Sequence, residues 1–180
     1  MEGVAAIEEV AFEELVALHR PRIFRFALAS LRDRDAAESV TQDCFLRAHQ
    51  AWGQFRGDSS VQTWLTKIAI NLIRDATKSR RFQFWKRANA TAVLTDVNGG
   101  FIPIAGSSPE ARISARQQVE VVWKAMDDLS PSQRTVFLLH FMEEMDVGEI
   151  ETVTGITNAT VRVHLHRAVR VVRSKLRRMK

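Results

Sequence analysis

Apolar residues recur every three or four positions along most of the chain, the spacing that gathers them on one face of an α-helix. This pattern predicts a helix over residues 11–32, which proline 21 kinks or restarts, and two further helices over residues 35–52 and 61–81. It also predicts helices over residues 115–129 and 131–141 and two helices joined by a tight turn within residues 147–178. Strand-like alternation is confined to residues 92–97 and 101–105. The sequence therefore predicts an all-α fold.

Polar residues stand where several of these helices are expected to begin. Asp35, with Glu38 three residues later, is expected to cap the second helix, and Ser59 or Ser60 the third. Ser130 is expected to cap the helix that starts at the proline after it. These caps place helix boundaries within each half of the chain.

Residues 83–114 lack helical periodicity and contain Gly99, Gly100, Pro103 and Gly106. We interpret them as a linker between an N-terminal domain, residues 1–82, and a C-terminal domain, residues 115–180. Their apolar content is high for a free linker, which indicates docking on a domain or on a partner. The predicted architecture is two small helical domains joined by this segment.

The turn inside residues 147–178 has a recognisable chemistry. Gly155 can end one helix in a left-handed conformation, and Ile156 follows it as an apolar plug. Thr157 or Asn158 can then cap the next helix. This order is typical of a helix-turn-helix, although an ordinary helical hairpin with a solvated basic face would share it.

The last predicted helix is strongly basic. Residues 159–180 hold eight Lys or Arg residues and no Asp or Glu. Its basic side chains recur at steps of three and four on a face separate from the apolar one: Arg162, His166, Arg170, Arg173 and Arg177. A helix with one buried face and one face rich in donors suits a DNA major groove.

Composition limits the remaining possibilities. Apolar residues make up 46% of the 180 residues, enough to bury a core. The single cysteine, Cys44, excludes an internal disulfide and a thiolate metal site and fits a reducing compartment. The start of the chain does not read as a secretory signal, and no run approaches 18 apolar residues, so we expect a cytoplasmic protein without a membrane span.

Charge is unevenly distributed around a net value of +5. Residues 46–82 hold two acids and seven bases, whereas residues 120–151 hold eight acids and two bases. In the first of these regions, Phe55 and Trp64 accompany the basic residues, a combination that suits unstacked bases of single-stranded nucleic acid. The alternative is that both rings are simply core residues, and that the charges are solvated helix faces.

Four motifs together resemble a known family. They are AAESVTQDCFLRAHQAW, FRGDSSVQTWLTKIAINLIRD, MDDLSPSQRTVFLLHFMEEM and the helix-turn-helix containing VRVHLHRA. In this order and spacing they resemble an extracytoplasmic-function (ECF) sigma factor of the sigma-70 family. The resemblance implies a protein that binds core RNA polymerase, recognises promoter DNA and helps to open it, without catalysing nucleotide addition itself. It implies no cofactor or metal, and an anti-sigma factor as a further partner.

The resemblance also assigns residues. The polymerase-binding positions are Gln42, Asp43, Phe45 and Leu46. The promoter-binding positions of the first domain are Phe55, Trp64, Asn71, Arg74, Lys78, Arg80 and Arg81. Those of the helix-turn-helix are Thr160, Arg162, His164, His166 and Arg167. Arg170, Arg173, Lys175 and Arg177 are expected to touch phosphates or solvent.

Two residues depart from the family pattern. Glu151 stands where a small residue usually allows close helix packing, and Val163 stands where a small hydroxyl residue is common. These departures concern the packing of the two helices at residue 151 and one base or phosphate contact at residue 163.

Three other functions compete with this one. A stand-alone helix-turn-helix regulator would explain the basic C-terminal helix but not the FRGDSS…TWL segment. An enzyme lacks support, because no metal-ligand cluster, glycine-rich phosphate loop or nucleophile motif is present in the sequence. The third alternative is a helical scaffold that binds only protein.

Overall fold

The computed structural model describes residues 2–78 and 108–178, with the side chains of residues 2–11, 109–116 and 118 left out. The chain divides into two compact units, residues 1–85 and 86–180. Arg80, Arg81 and the two strand-like segments of the predicted linker lie outside the described residues.

Every regular element within the described ranges is helical, which confirms the all-α prediction. A short 3₁₀ turn at Trp52–Gln54 follows the second helix. The α-helices are α1 (Glu2–Leu31), α2 (Arg34–Ala51), α3 (Val61–Lys78), α4 (Pro109–Met126), α5 (Pro131–Phe141), α6 (Val147–Thr154) and α7 (Asn158–Arg177).

The first unit is built from α1, α2 and α3, each of which packs against the other two. Phe26, Ala37, Cys44 and Leu65 are almost fully buried between them. Helix α1 continues through Pro21 without restarting. These three helices fix the placement of the loop and of the α3 surface that follow α2.

The apolar spacing that predicts α1 also places Leu18 on the stripe expected to be buried, and this prediction is wrong. Its side chain is 73% exposed, whereas Leu15 and Ile23 on the same helix are buried. Among the described residues of this unit, α2 and α3 pack against α1, and the apolar side chains of α1 are not all covered by them.

The cap of α2 also differs from the prediction. Asp33, not Asp35, is the N-cap, and its Oδ1 accepts the amide hydrogen of Ala36 at 2.9 Å. The helix begins at residue 34, two positions before the predicted cap would allow. Glu38 consequently lies outside the capping position and instead pairs with Arg20 of α1. Helix α3 begins as predicted, with Ser60 Oγ accepting from the amide of Thr63 at 3.0 Å.

In the second unit, α4 and α5 pack against α7, and α6 packs against α5 and α7. The core is formed by Met126, Leu138, Ile150, Val161 and Ala168, all nearly inaccessible to solvent. Helix α4 begins earlier than predicted, so residues 109–114, expected in the linker, are helical.

The cap of α5 forms as predicted. Ser130 is its N-cap, and a reciprocal capping box joins Ser130 to Gln133. The proline of this segment occupies the first turn, where its missing amide hydrogen has no helical partner to lose.

Candidate nucleic-acid and polymerase interfaces

The helix-turn-helix is framed by two well-defined helix ends. At the start of α6, Asp146 Oδ1 accepts from the amide of Glu149 at 2.8 Å, and Glu149 Oε2 accepts from the amide of Asp146 at 2.9 Å. At its end, Gly155 has φ of 72°, the left-handed conformation that glycine adopts at little steric cost. The predicted glycine stop is therefore present, and it sets the direction in which the chain enters α7.

The start of α7 is stabilised by a residue that sequence patterns did not indicate. Thr157 is the N-cap but makes no side-chain cap bond, and its hydroxyl instead lies 2.9 Å from that of Thr160. The amide of Asn158 donates to Glu151 Oε1 at 3.0 Å. The expected cap by the Thr157 or Asn158 side chain is thus replaced by a carboxylate from α6. Sequence patterns for helix caps cover only three or four neighbouring residues. They therefore do not include an acceptor such as Glu151, which lies seven positions before Asn158.

Helix α7 buries one side and exposes the other, as its pattern predicts. Val161, Ala168 and Val172 are buried. Four of the five predicted base-reading residues are exposed together on the opposite side: Thr160, Arg162, His166 and Arg167. This gives the helix a hydroxyl, two guanidinium groups and an imidazole on one accessible surface, the side-chain types that hydrogen-bond base edges.

His164, the fifth predicted reader, is not part of that surface. Its side chain is half-buried, and its Nδ1 is buried with no hydrogen-bond partner among the described residues. His164 lies two residues after Arg162, and this spacing on a helix places its side chain toward the packed side of α7. Val163, by contrast, is 47% exposed beside the reading residues.

A shallow cleft of about 390 Å³ lies between the start of α6 and the exposed side of α7. Its apolar lining comes from Val147, Leu165 and Val169. Its cationic lining comes from Arg162, Arg170 and Arg173, and the imidazole of His166 lies beside them. The cleft continues the basic surface of α7 toward its C-terminal half, where anionic groups would be attracted.

The remaining basic residues of α7 are not equivalent. Arg170, Arg173 and Arg177 are exposed. Lys175 Nζ lies 2.8 Å from Asp128 Oδ2, so its charge is already paired with the segment that follows α4. Lys175 was expected to touch phosphate or solvent; its side chain is 38% exposed and also carries this intramolecular ion pair.

On the first unit, the predicted polymerase-binding residues separate by exposure. Gln42, Asp43 and Leu46 are exposed along α2, and Leu46 is 57% accessible. Phe45 is only 7% exposed and belongs to the core. Phe45 therefore supports the exposed strip from beneath rather than extending it.

Phe55 and Trp64 belong to an aromatic cluster. Their ring centroids lie 4.9 Å apart, and Trp52 stacks on Phe55 at 5.7 Å with an interplanar angle of 7°. Phe12 of α1 contacts Trp52 edge-on at 5.7 Å. All of these rings except the buried Phe12 are half-buried, so the cluster anchors the loop between α2 and α3 and still presents aromatic surface to solvent.

Farther along α3, Asn71 and Arg74 bond to one another. Arg74 Nη2 donates to Asn71 Oδ1 at 2.8 Å. The amide nitrogen of Asn71 keeps two donors for another partner. Lys78 is exposed at the end of the helix, and the two arginines predicted after it lie outside the described residues.

Three further features of the described residues concern thiol reactivity, metal binding and membrane insertion. Burial raises the pKa of the Cys44 thiol to about 12, partly offset by the charge of Arg47. Within residues 2–78 and 108–178, no three His, Cys, Asp or Glu side chains cluster as metal ligands would. No helix in these ranges has the length and apolar character needed to cross a membrane.

Comparison with known families places both units. Residues 15–83 match Sigma-70 region 2, and residues 120–172 match Sigma-70, region 4. The ECF RNA polymerase sigma factor SigL of Mycobacterium tuberculosis is 30% identical over 98% of this chain and 95% of its own length. The ECF sigma factor SigW of Bacillus subtilis is 24% identical over 94% of this chain and 91% of its own.

Solved structures share the fold. The sigma factor RpoE, in complex with the anti-sigma factor NepR from Bartonella quintana, superposes with a TM-score of 0.65 at 22% identity, over 93% of this chain and 97% of that one. CnrH, in complex with the cytosolic domain of CnrY, gives a TM-score of 0.62 at 23% identity, over 95% and 88% of the two chains. The chain thus has the helical fold of a sigma factor. It belongs to the ECF sigma factors of the sigma-70 family, and its function is that of a sigma factor in transcription initiation.

Proposed function

We propose that the exposed side of α7 reads an upstream promoter element from the major groove. The observation that carries this proposal is the joint exposure of Thr160, Arg162, His166 and Arg167 on a helix whose other side is buried in the second unit. A helix held in this way can enter the groove while its packed side keeps its orientation. Arg170 and Arg173 extend the same surface and hold phosphates.

The first unit, in this proposal, both holds polymerase and handles opened DNA. The exposed strip of Gln42, Asp43 and Leu46 on α2 contacts core RNA polymerase. The half-buried rings of Phe55 and Trp64 offer stacking surface beside the loop, and Asn71 offers amide donors to an unpaired base. Arg74 and Lys78 contact the phosphates of the opened strand, and Arg80 and Arg81, which lie outside the described residues, are proposed to do the same.

The protein acts by binding and positioning, in the cytoplasm where polymerase works, and carries out no covalent step itself. Two of its fold relatives are solved as complexes, one with the anti-sigma factor NepR and one with the cytosolic domain of CnrY. An anti-sigma factor is accordingly proposed as a partner of this chain. The exposed apolar side chain of Leu46 offers such a partner a contact that polymerase would otherwise use.

Gel filtration with purified bacterial core RNA polymerase tests the first contact. We expect one-to-one co-elution, weakened in the Leu46→Ala variant. Leu18→Ala is the matched control, since Leu18 is an exposed leucine outside the strip, and it should co-elute like wild type. Failure to co-elute, with a shift of duplex DNA by the chain alone, would instead favour a stand-alone regulator.

A second test separates promoter opening from polymerase binding. A promoter is first enriched from a random duplex pool with the assembled holoenzyme, and unpaired thymines are then detected by permanganate. Asn71→Ala should reduce the permanganate signal about tenfold while co-elution with polymerase is unchanged, because one base contact that offsets flipping is lost. The exposed neighbour Asp75, changed to Ala, is the control. Equal loss of opening and polymerase binding would reject the role of Asn71.

A further inference from the structure

The side chain of Arg162 is held before any DNA is present. Its Nε–H donates to Asn158 Oδ1 at 2.9 Å, one helical turn earlier on the same exposed side of α7. A guanidinium carries five donors in a planar fork. Use of the Nε donor by Asn158 leaves the four donors of the two terminal nitrogens for an external partner. Arg162 is exposed, so those terminal nitrogens are accessible.

Asn158 is itself fixed by Glu151. The backbone amide of Asn158 donates to the Glu151 carboxylate at 3.0 Å, and the backbone carbonyl of Glu151 accepts from the amide of Gly155 at 2.8 Å. Glu151 therefore bonds to both sides of the turn between α6 and α7. The first residue of α7, and with it the acceptor for Arg162, is tied to the preceding helix.

We propose that Asn158 and Glu151 are positioning residues that orient the Arg162 guanidinium toward a guanine of the promoter and so determine the base preference of α7. This inference rests on the proposed function of α7. Arg162 is the residue that touches the base, and the other two act through it. The order of bonds, from Glu151 to Asn158 and from Asn158 to Arg162, runs from the core-facing helix α6 to the exposed surface.

The chemistry favours guanine. Guanine presents O6 and N7 as two adjacent acceptors in the major groove, and the two terminal nitrogens of a guanidinium match them. An arginine whose orientation is set beforehand loses less conformational freedom when it binds, so more of the interaction appears as affinity for the matching base. A freely rotating arginine can turn to a phosphate instead, where it would carry no sequence information.

The test uses holoenzyme assembled from the full chain and bacterial core polymerase, with a pool of duplex DNA that contains a randomised block. Sequencing of the bound fraction gives the base preference at each position. Arg162→Ala identifies the base pair that depends on the arginine. Asn158→Ala should lower guanine enrichment at the same pair at least about fivefold, the lower end of what one bidentate pair contributes. Asn158→Asp keeps an acceptor for Nε and should retain the preference.

Two further readouts separate positioning from a merely structural role. Replacement of that guanine by 7-deazaguanine, which lacks the N7 acceptor, should weaken wild-type binding but not that of the Asn158→Ala variant. The dependence of affinity on salt should be unchanged in Asn158→Ala, because the asparagine neutralises no phosphate. Glu151→Gln keeps an oxygen acceptor and should behave as wild type, whereas Glu151→Ala should lower guanine enrichment.

The outcomes are distinguishable. If Asn158→Ala binds all sequences more weakly but keeps the wild-type guanine preference, the positioning role is overturned and the proposed function of α7 stands. If wild-type holoenzyme shows no base preference at any position of the block, the proposed function of α7 fails, and the positioning role fails with it. Loss of guanine enrichment in both Arg162→Ala and Asn158→Ala at one base pair supports the inference.

Discussion

The carboxylate of Glu151 in α6 accepts a hydrogen bond from the backbone amide of Asn158 at 3.0 Å. A residue of α6 thereby caps the start of α7, the exposed helix of the helix-turn-helix. The first amides of a helix have no partner within the helix, and a negatively charged acceptor at this end is favoured by the helix dipole. A residue that seemed out of place for close helix packing thus has a defined role in the turn.

Glu151→Ala should lower the free energy of unfolding of the second unit by about 1 kcal/mol, because a helix cap is lost. Glu151→Gln should lower it by less, since an amide oxygen still accepts the bond. Thermal unfolding followed by circular dichroism measures both. Thr152→Ala, at an exposed neighbouring position of α6, is the control and should stay within about 0.5 kcal/mol of wild type. Equal destabilisation by Glu151→Ala and Thr152→Ala would contradict the cap.

Gly155→Ala should destabilise the same turn by about 1–2 kcal/mol, because φ of 72° brings a Cβ into conflict with its own backbone. Apart from its two chain neighbours, no heavy atom of the described residues lies within 4 Å of the position of that Cβ, so the effect is conformational rather than one of packing. Gly155→Asn is the matched variant at the same site. Asparagine tolerates the left-handed region better than alanine does. The melting temperature of the Gly155→Asn variant should therefore fall between those of wild type and Gly155→Ala. The opposite order would show that the side chain, not the backbone, decides stability here.

Cys44 should react with thiol reagents only when the first unit opens. It is fully buried, its sulfur lies 3.6 Å from the carbonyl oxygen of Leu65, and burial raises its pKa to about 12. Ellman's reagent should therefore label the native chain far more slowly than the chain in urea. Leu65→Ala should accelerate native labelling, since truncating a buried leucine destabilises a core by about 2–5 kcal/mol.

Leu46→Ala is the control for that experiment, being the same truncation on an exposed side chain, and its Cys44 should label at the wild-type rate.

The raised pKa of Cys44 also determines how the stability of the first unit changes with pH. A thiol whose pKa is higher in the folded state stabilises the fold below its ordinary value near 9.0, and this contribution is lost as pH rises toward 12. Rapid labelling of the native wild type at pH 8 would show that the first unit opens without the loss of Leu65.

Arg170→Ala and Lys175→Ala should differ in their effect on promoter binding by the holoenzyme. Arg170 is exposed in the cleft beside α6, whereas the Lys175 ammonium is paired with Asp128 at 2.8 Å. If Arg170 neutralises one phosphate, its loss should reduce the slope of log affinity against log salt by about 0.9. Lys175→Ala should leave that slope unchanged. A larger change for Lys175→Ala than for Arg170→Ala would reject this division of the basic residues.

Much of the fold could be predicted from the sequence, because helix faces and helix ends depend on residues that are close together in the chain. Helix faces follow from the spacing of apolar residues, and the buried Val161, Ala168 and Val172 on α7 lie where that spacing predicts them. Ser60, Ser130 and Gly155 act at helix ends as predicted, because a cap bond or a left-handed residue involves only a few neighbouring positions.

Errors arose where neighbouring positions offered equivalent choices or where a partner element decided the outcome. Asp33 and Asp35 can both cap a helix by their chemistry, and in the structure the cap is Asp33, directly after Arg32 with its φ of 54°. Leu18 lies on an apolar stripe by its spacing, but burial requires another helix to cover it.

The sequence by itself thus determined the helices, their apolar sides and the family, since these depend on spacing and on motifs within single segments. Only the tertiary structure decided which polar groups meet across the turn and which side chains stay exposed. In the folded protein, Glu151 bonds to Asn158, and Trp52, Phe55 and Trp64 form one cluster. His164 is half-buried and so lies apart from the exposed residues predicted to contact bases. The physical reason is that these contacts link different elements, so they exist only once the packing of the helices has fixed the distances between them.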